Sequence, residues 1–139
     1  MMNEKAKSFL LPSEVAYGAT MRGNEYGWQI PAFADALERA EALGYACLGG
    51  QFQFRVPDGT CEMYWLNSDA TGRTAGESWS DYCHRSCAEV LRGFNRMIRE
   101  TDFRAEASKW HVLSTKVPGG FDPLSALVFV ACFVTEDEI

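Results

Sequence analysis

The chain has no excess of positive charge. Its 13 lysines and arginines stand against 19 aspartates and glutamates, for a formal net charge of −6. That excludes a sequence-independent nucleic-acid binder, which needs cationic surface to displace counterions from phosphates. It suits a basic partner, because opposite surface potentials steer association. No C-x-x-C pair occurs, and the five cysteines are odd in number and irregular in spacing. A secreted disulfide framework is therefore excluded. The opening MMNEKAKSFLLPSE has neither the apolar core nor the small-residue cleavage site of a signal peptide. The longest apolar run, 126–134, is far too short to span a bilayer. Neither Leu48-Gly49-Gly50 nor Pro118-Gly119-Gly120 opens a helix, as a phosphate-binding glycine loop must. Together these absences predict a reduced, cytoplasmic protein with no membrane or nucleic-acid partner.

What is present fits one globular domain, 1–139: the apolar fraction of 47% and charged fraction of 23% are ordinary, and the length can bury a core without staples. The clearest signal is the stretch 49–69, GGQFQFRVPDGTCEMYWLNSD. Two aromatic and branched runs meet at Asp58-Gly59, the dipeptide most favoured in a type I′ hairpin. That turn sets Val56 opposite Cys61, Phe54 opposite Met63 and Phe52 opposite Trp65, all on one face. The other face then pairs Arg55 with Glu62, as a salt bridge, and Gln53 with Tyr64.

Around the hairpin, residues 1–29 have no clear period and predict an irregular segment. Ile30, Phe33, Leu37, Ala40 and Leu43 repeat at helical spacing, with Pro31 in the first turn. Gly44 and Tyr45 supply the Schellman cap. After the loop 68–76, Thr74-x-x-Glu77 forms a capping box for a long helix. Its core stripe holds Trp79, Tyr82, Cys83, Cys87, Val90, Leu91 and Phe94. Residues 110–117 read as a strand, and Leu127–Val134 as a strand covered on both faces, by this chain or by a partner. Glu136, Asp137 and Glu138 form a solvated acidic tail. The class is α+β: about four antiparallel strands in two hairpins packed against two helices, in the order α-β-β-α-β-β.

Candidate chemistry is thin. Cys83 and Cys87 stand one helical turn apart and could share a metal with Cys47, Cys61 or His111, but both lie on the core stripe, where free cysteine is ordinarily inert. His84 points about 100° away from Cys83 on a helix and is badly placed as its base. His111 needs tertiary folding to reach that thiol. Asn67-x-Asp69-x-Thr71-Gly72 opens like a calcium loop but places Ser78 where a bidentate glutamate belongs. Glu62, Glu77 and Asp81 are explained by Arg55, the capping box and the helix dipole. Arg85, Arg92, Arg96 and Arg99 form a ridge on the far side of the long helix, and Glu89 and Glu100 stand four residues after Arg85 and Arg96. No metal or cofactor is expected. A small enzyme or ligand-binding domain using Cys83, His84 or His111 is one alternative, and a homo-oligomeric module joined through the strand at Phe129 is another.

The segments Ala42-Leu43-Gly44-Tyr45 into GGQFQF, PDGTCEMYWLNSD and ESWSDYCHRS resemble small bacterial immunity proteins of the polymorphic-toxin and contact-dependent-inhibition type, over roughly 31–94. The resemblance implies a cytoplasmic, non-enzymatic protein that binds a cognate toxin and occludes its active site. A nuclease toxin, with its basic cleft, would dock on the acidic loop 69–77 or the tail. The expected partner-binding residues are Gln53, Arg55, Glu62 and Tyr64 on the back of the hairpin, Asp69 and Glu77 at its exit, and Glu136, Asp137 and Glu138. Tyr64 and Trp79 would be natural anchors where exposed.

Overall fold

The computed structural model describes residues 10–139; the first nine residues of the segment expected to be irregular lie outside the described residues. Five strands form one antiparallel sheet: β1 (Ala19–Arg22), β2 (Glu25–Trp28), β3 (Ala46–Val56), β4 (Gly59–Asp69) and β5 (Leu127–Val134), in the spatial order β1-β2-β5-β3-β4. The helices are α1 (Ser13–Ala16), α2 (Ile30–Ala42), α3 (Trp79–Glu100), α4 (Phe103–Ser108) and α5 (His111–Ser114). No helix among the described residues is long and apolar enough to cross a membrane.

The α+β class and the antiparallel sheet are as expected; the strand count and order are not. Part of the segment read as irregular is the β1–β2 hairpin, turning at Gly23, whose φ of 63° suits a residue without Cβ. The second expected hairpin does not form, because 110–117 folds into α5 and a 3-10 turn at Val117–Gly119. Trp110 and Leu113 are three residues apart, so the same short apolar run also reads as a helical turn. Leu113 is fully buried, and Pro118 could not have continued a ladder.

Helix α2 follows its expected stripe except at Leu43, which lies past its end and is 48% exposed. Phe33, Ala36, Leu37 and Ala40 are buried. Gly44, at φ 84°, lets its own N–H reach Glu41 O (3.0 Å) and that of Tyr45 reach Ala40 O (2.9 Å), completing the Schellman cap. Helix α3 buries Tyr82, Cys83, Ser86, Cys87, Val90, Phe94 and Met97. Its N-cap is Ser78, which accepts from Asp81 N at 3.1 Å, so the capping box expected at Thr74 is a separate turn one step upstream. Gly93 lets this helix ride close over Ser68, whose side chain occupies the space a Cβ would need.

On the helix-covered front of the sheet, Phe33 (α2), Phe52 (β3), Phe94 (α3) and Phe129 (β5) form one ring cluster. Centroid separations are 4.6 Å for Phe33–Phe129, 4.8 Å for Phe33–Phe94 and Phe52–Phe129, 5.0 Å for Phe94–Phe129 and 5.5 Å for Phe52–Phe94. Four elements are joined by four side chains, each burial stabilising by about 1.5–3 kcal/mol.

The β3–β4 register differs from the expected one by two residues. Val56 pairs with Gly59, Phe54 with Cys61 and Phe52 with Met63, so the turn is Pro57-Asp58. Proline is the reason. The expected register puts Pro57 in the hydrogen-bonded pair that closes the hairpin, and Pro57 has no N–H to give. Neither Asp58 nor Gly59 has the positive φ of a type I′ turn. A shift of two keeps every side chain on its face, so Phe52, Phe54, Val56, Cys61 and Met63 are buried as expected. Beyond Phe52 the next pair is Gln51 with Asn67, which leaves Tyr64, Trp65 and Leu66 in a bulge without partners on β3. The odd insertion reverses the facing. Trp65, expected in the core, is 47% exposed, and Ser68 turns inward to donate to Val90 O at 3.0 Å.

Strand β5 is covered on both faces from Leu127 to Val130, and by its own chain. The β1–β2 ribbon pairs with β5 only at Gly27–Val130 and Trp28–Phe129, then crosses the back of the sheet. Two arginines strap it down. Arg55 donates to Thr20 O (2.9 Å) and Glu25 O (3.1 Å), while Arg22 donates to Val56 O (2.9 Å), Gly59 O (3.0 Å) and the Thr60 hydroxyl. Val128, Val130 and Gln53 are buried as a result. Around Phe129 the two-sided apolarity is satisfied within the chain.

Candidate functional site

Where the ribbon lifts off β5, the back of the sheet is left open as a groove of about 930 Å³. Its floor is Val130 and Cys132 of β5 with Gly49 and Gln51 of β3, and Asn24, Glu25 and Tyr26 form one wall. Asn67 and Asp69 of β4 form another, and Asp137 and Glu138 close the end. Four carboxylates line this space, and among the described residues no lysine, arginine or histidine does.

The acids are held in place from different directions. Asp69 lies directly over Gly49, its strand partner, in the space a Cβ would fill. Residues 136–138 are not the free tail that was expected. Thr135-x-x-Glu138 is a capping box: Glu138 accepts from Thr135 N at 2.7 Å, and Thr135 accepts in return from the Glu138 backbone. The Thr135 hydroxyl lies 2.7 Å from Asp137 Oδ1 and 2.8 Å from Glu138 Oε1, and its single proton serves one at a time. The Thr135 side chain and the Asp137 backbone hold the Asp137 carboxyl below the usual range. Glu25 is fixed through its backbone carbonyl by Arg55 and makes no side-chain bond among the described residues.

The resulting negative potential is felt by its neighbours. Burial first, then Glu138 and Glu25, raise the Cys132 thiol, and burial first, then Glu138 and Asp137, raise the Tyr45 hydroxyl. Cys132 is the one exposed cysteine. Such a groove attracts cations and basic side chains and repels phosphates.

Compared with protein-family models, curated proteins and solved structures, the chain matches none.

Of the residues expected at an interface, the groove gathers Asp69, Asp137 and Glu138. The others lie outside the groove lining. Gln53 is 1% exposed and accepts from Arg55 Nε at 2.9 Å. Arg55 is the strap for the ribbon, and its expected salt bridge with Glu62 does not form because Glu62 pairs across the ladder with Gln53. Glu77 is locked to Arg85 at 2.7 Å, and Glu136 to Arg73 at 2.9 Å. Glu62 is exposed outside the groove. Tyr64 is 70% exposed and stacks edge-on with Trp65 at 5.1 Å, a pair carried on the bulge beside the groove wall. Asn67 joins the two features, since it lines the groove and donates to Tyr64 O at 2.6 Å. Trp79 is half-buried under Arg73 and donates to Gly44 O at 2.8 Å, which removes it as an anchor.

Thiol chemistry gains no support. Cys83 and Cys87 are buried, and desolvation, the largest cause for both, raises Cys83 and pushes Cys87 up to about 12. A nucleophilic thiol needs the opposite shift. His84 is turned to Glu41, 2.9 Å away. His111 is exposed on α5, whose Val112 packs towards the β3–β4 turn, whereas Cys83 packs with Ala46 and Tyr82. Among the described residues no three ligating side chains gather as a metal site. The missed residues are Glu25 and Trp65. Glu25 sat in a segment without a visible period, and Trp65 was hidden by a bulge that strict alternation does not anticipate.

Proposed function

We propose that the protein is an inhibitor that binds a basic surface of a bacterial toxin in the cytoplasm and blocks its active site, with the back-face groove as the recognition surface. The observation that carries this reading is the groove's four carboxylates, with no cationic side chain beside them among the described residues. A cationic partner would bring to these exposed carboxylates the opposite charge that steers and orients association. Tyr64 and Trp65 support the same reading, because exposed aromatic residues beside a polar site dominate binding energy where partners meet. The resemblance of 31–94 to immunity proteins supplies the partner class, and a nuclease toxin has the basic cleft the groove would complement.

The test is co-expression with a candidate toxin from the native host. Growth should be restored by the native chain, and toxin and inhibitor should co-purify. Absence of both rescue and complex would overturn the proposal. Glu25→Lys together with Asp137→Lys should abolish rescue while leaving the chain folded; full rescue by that variant would remove the groove from the mechanism.

A further inference from the structure

The groove has a property that its charge does not explain: it is a place where the sheet's ladder is interrupted. On one side, residues 131–134 of β5 pair with β3 through Ala131–Gly50, Cys132–Gly49, Phe133–Cys47 and Val134–Ala46. On the other side the pairing to β2 stops at Val130, because the ribbon leaves the sheet plane there. Among the described residues no strand takes over. Alternate N–H and C=O groups of 131–134 therefore point into the gap between β5 and the departing Asn24, Glu25 and Tyr26. An unpaired strand edge is a template for another chain.

We infer that the occupant is an extended basic segment of the partner protein, which adds as a strand to the open edge of β5. This rests on the recognition surface proposed above and specifies how it is used. Side chains of an added strand alternate between the two faces of the sheet. Those directed to the back meet Glu25, Asp69, Asp137 and Glu138; those directed to the front meet Tyr26 and Phe133. The segment recognised thus carries lysine or arginine at every second position with apolar residues between. A second copy of this chain is a poor occupant, since edge-to-edge pairing would bring the same four carboxylates of both copies together. Backbone pairing supplies affinity and the charge pattern supplies selectivity, the division of labour of strand addition.

The experiment is an NMR titration of the full, isotope-labelled chain with an octapeptide alternating lysine and valine. Two counterparts accompany it: a glutamate–valine octapeptide, and the lysine peptide N-methylated at alternate residues so that one edge cannot pair. The lysine peptide should shift the amides of 131–134 and of Asn24, Glu25 and Tyr26. The glutamate peptide should give no shifts at the same concentrations, and N-methylation should weaken binding at least about tenfold. Glu25→Gln and Asp137→Asn should each weaken it about threefold, the range of a partly exposed ion pair. Equal binding of the lysine and glutamate peptides, indifference to N-methylation, shifts confined to other surfaces, no binding at millimolar peptide, or a dimer by sedimentation would each overturn strand addition. Growth rescue by the native chain alongside any of those results leaves the inhibitor reading standing. Peptide binding as expected without rescue or a toxin complex would leave strand addition standing and remove the toxin.

Discussion

The two faces of this sheet are made from the same strands and obey opposite rules. On β3, Phe52 and Phe54 point to the front into an aromatic core, while Gln53 and Arg55 point to the back among hydrogen bonds and charges. The front is closed by α2, α3 and the segments after them, and its rings touch on every side. The back is closed only in part, by a ribbon held with two arginines, and where that cover ends the groove begins. The difference teaches that stability and recognition can be separated by side-chain parity: neighbouring residues on one strand serve different purposes.

The comparison breaks if front substitutions are mild. Phe129→Ala removes a ring that contacts Phe33, Phe52 and Phe94, and should cost about 3–5 kcal/mol in denaturant unfolding. A loss under about 1 kcal/mol would mean the core is not where this account puts it. The strap is expected to come next. Arg55→Ala removes bonds to Thr20 and Glu25 and leaves the buried Gln53 amide without its partner, for a loss of about 1–3 kcal/mol. Faster hydrogen exchange should then be confined to β1 and β2.

Acid should act where the loop after β4 meets α3. The Glu77 carboxyl is held down to about 2, first by hydrogen bonding from Arg85 and then by Thr74 N–H. Because its folded value is depressed, the contribution is complete above the ordinary glutamate range near 4.5 and is lost as pH falls from there towards 2. Stability of the native chain should drop through that window more steeply than that of Glu77→Gln; identical profiles would show that the Arg85 pairing contributes nothing. The smallest effect on folding should come from the groove. Glu25→Gln and Asp137→Asn should each change stability by less than about 0.5 kcal/mol, the ordinary range for surface substitutions, while weakening partner binding.

Much of the front was legible in the sequence, since periodicity reports burial. The stripe from Tyr82 to Met97, the Gly44 cap and the inward set Phe52, Phe54 and Met63 all appear as expected. The back was less legible for identifiable reasons. Pro57 lacks an N–H and moved the register, although a shift of two left the facing unchanged. The bulge at Tyr64, Trp65 and Leu66 sent Trp65 outward through an odd insertion that the alternation does not encode. Thr135-x-x-Glu138 carries the same capping signature as Thr74-x-x-Glu77, so the ordering of 136–138 was readable and was obscured by reading the run of acids as a solvated tail. The groove itself depends on where β2 leaves β5, a tertiary event without a local signature.

Cys132 offers the most direct test of the claim that the groove is the recognition surface. It lies on the groove floor, and the other four thiols are buried. With a maleimide at pH 8, the free native chain should take up one equivalent, at Cys132, slowly because burial and the nearby carboxylates raise that thiol. In complex with the protein that co-purifies from the native host, the same reaction should be at least about tenfold slower, since a strand seated in the groove excludes reagent from its floor. An unchanged rate at Cys132 in a saturated complex would place the interface elsewhere and contradict the account.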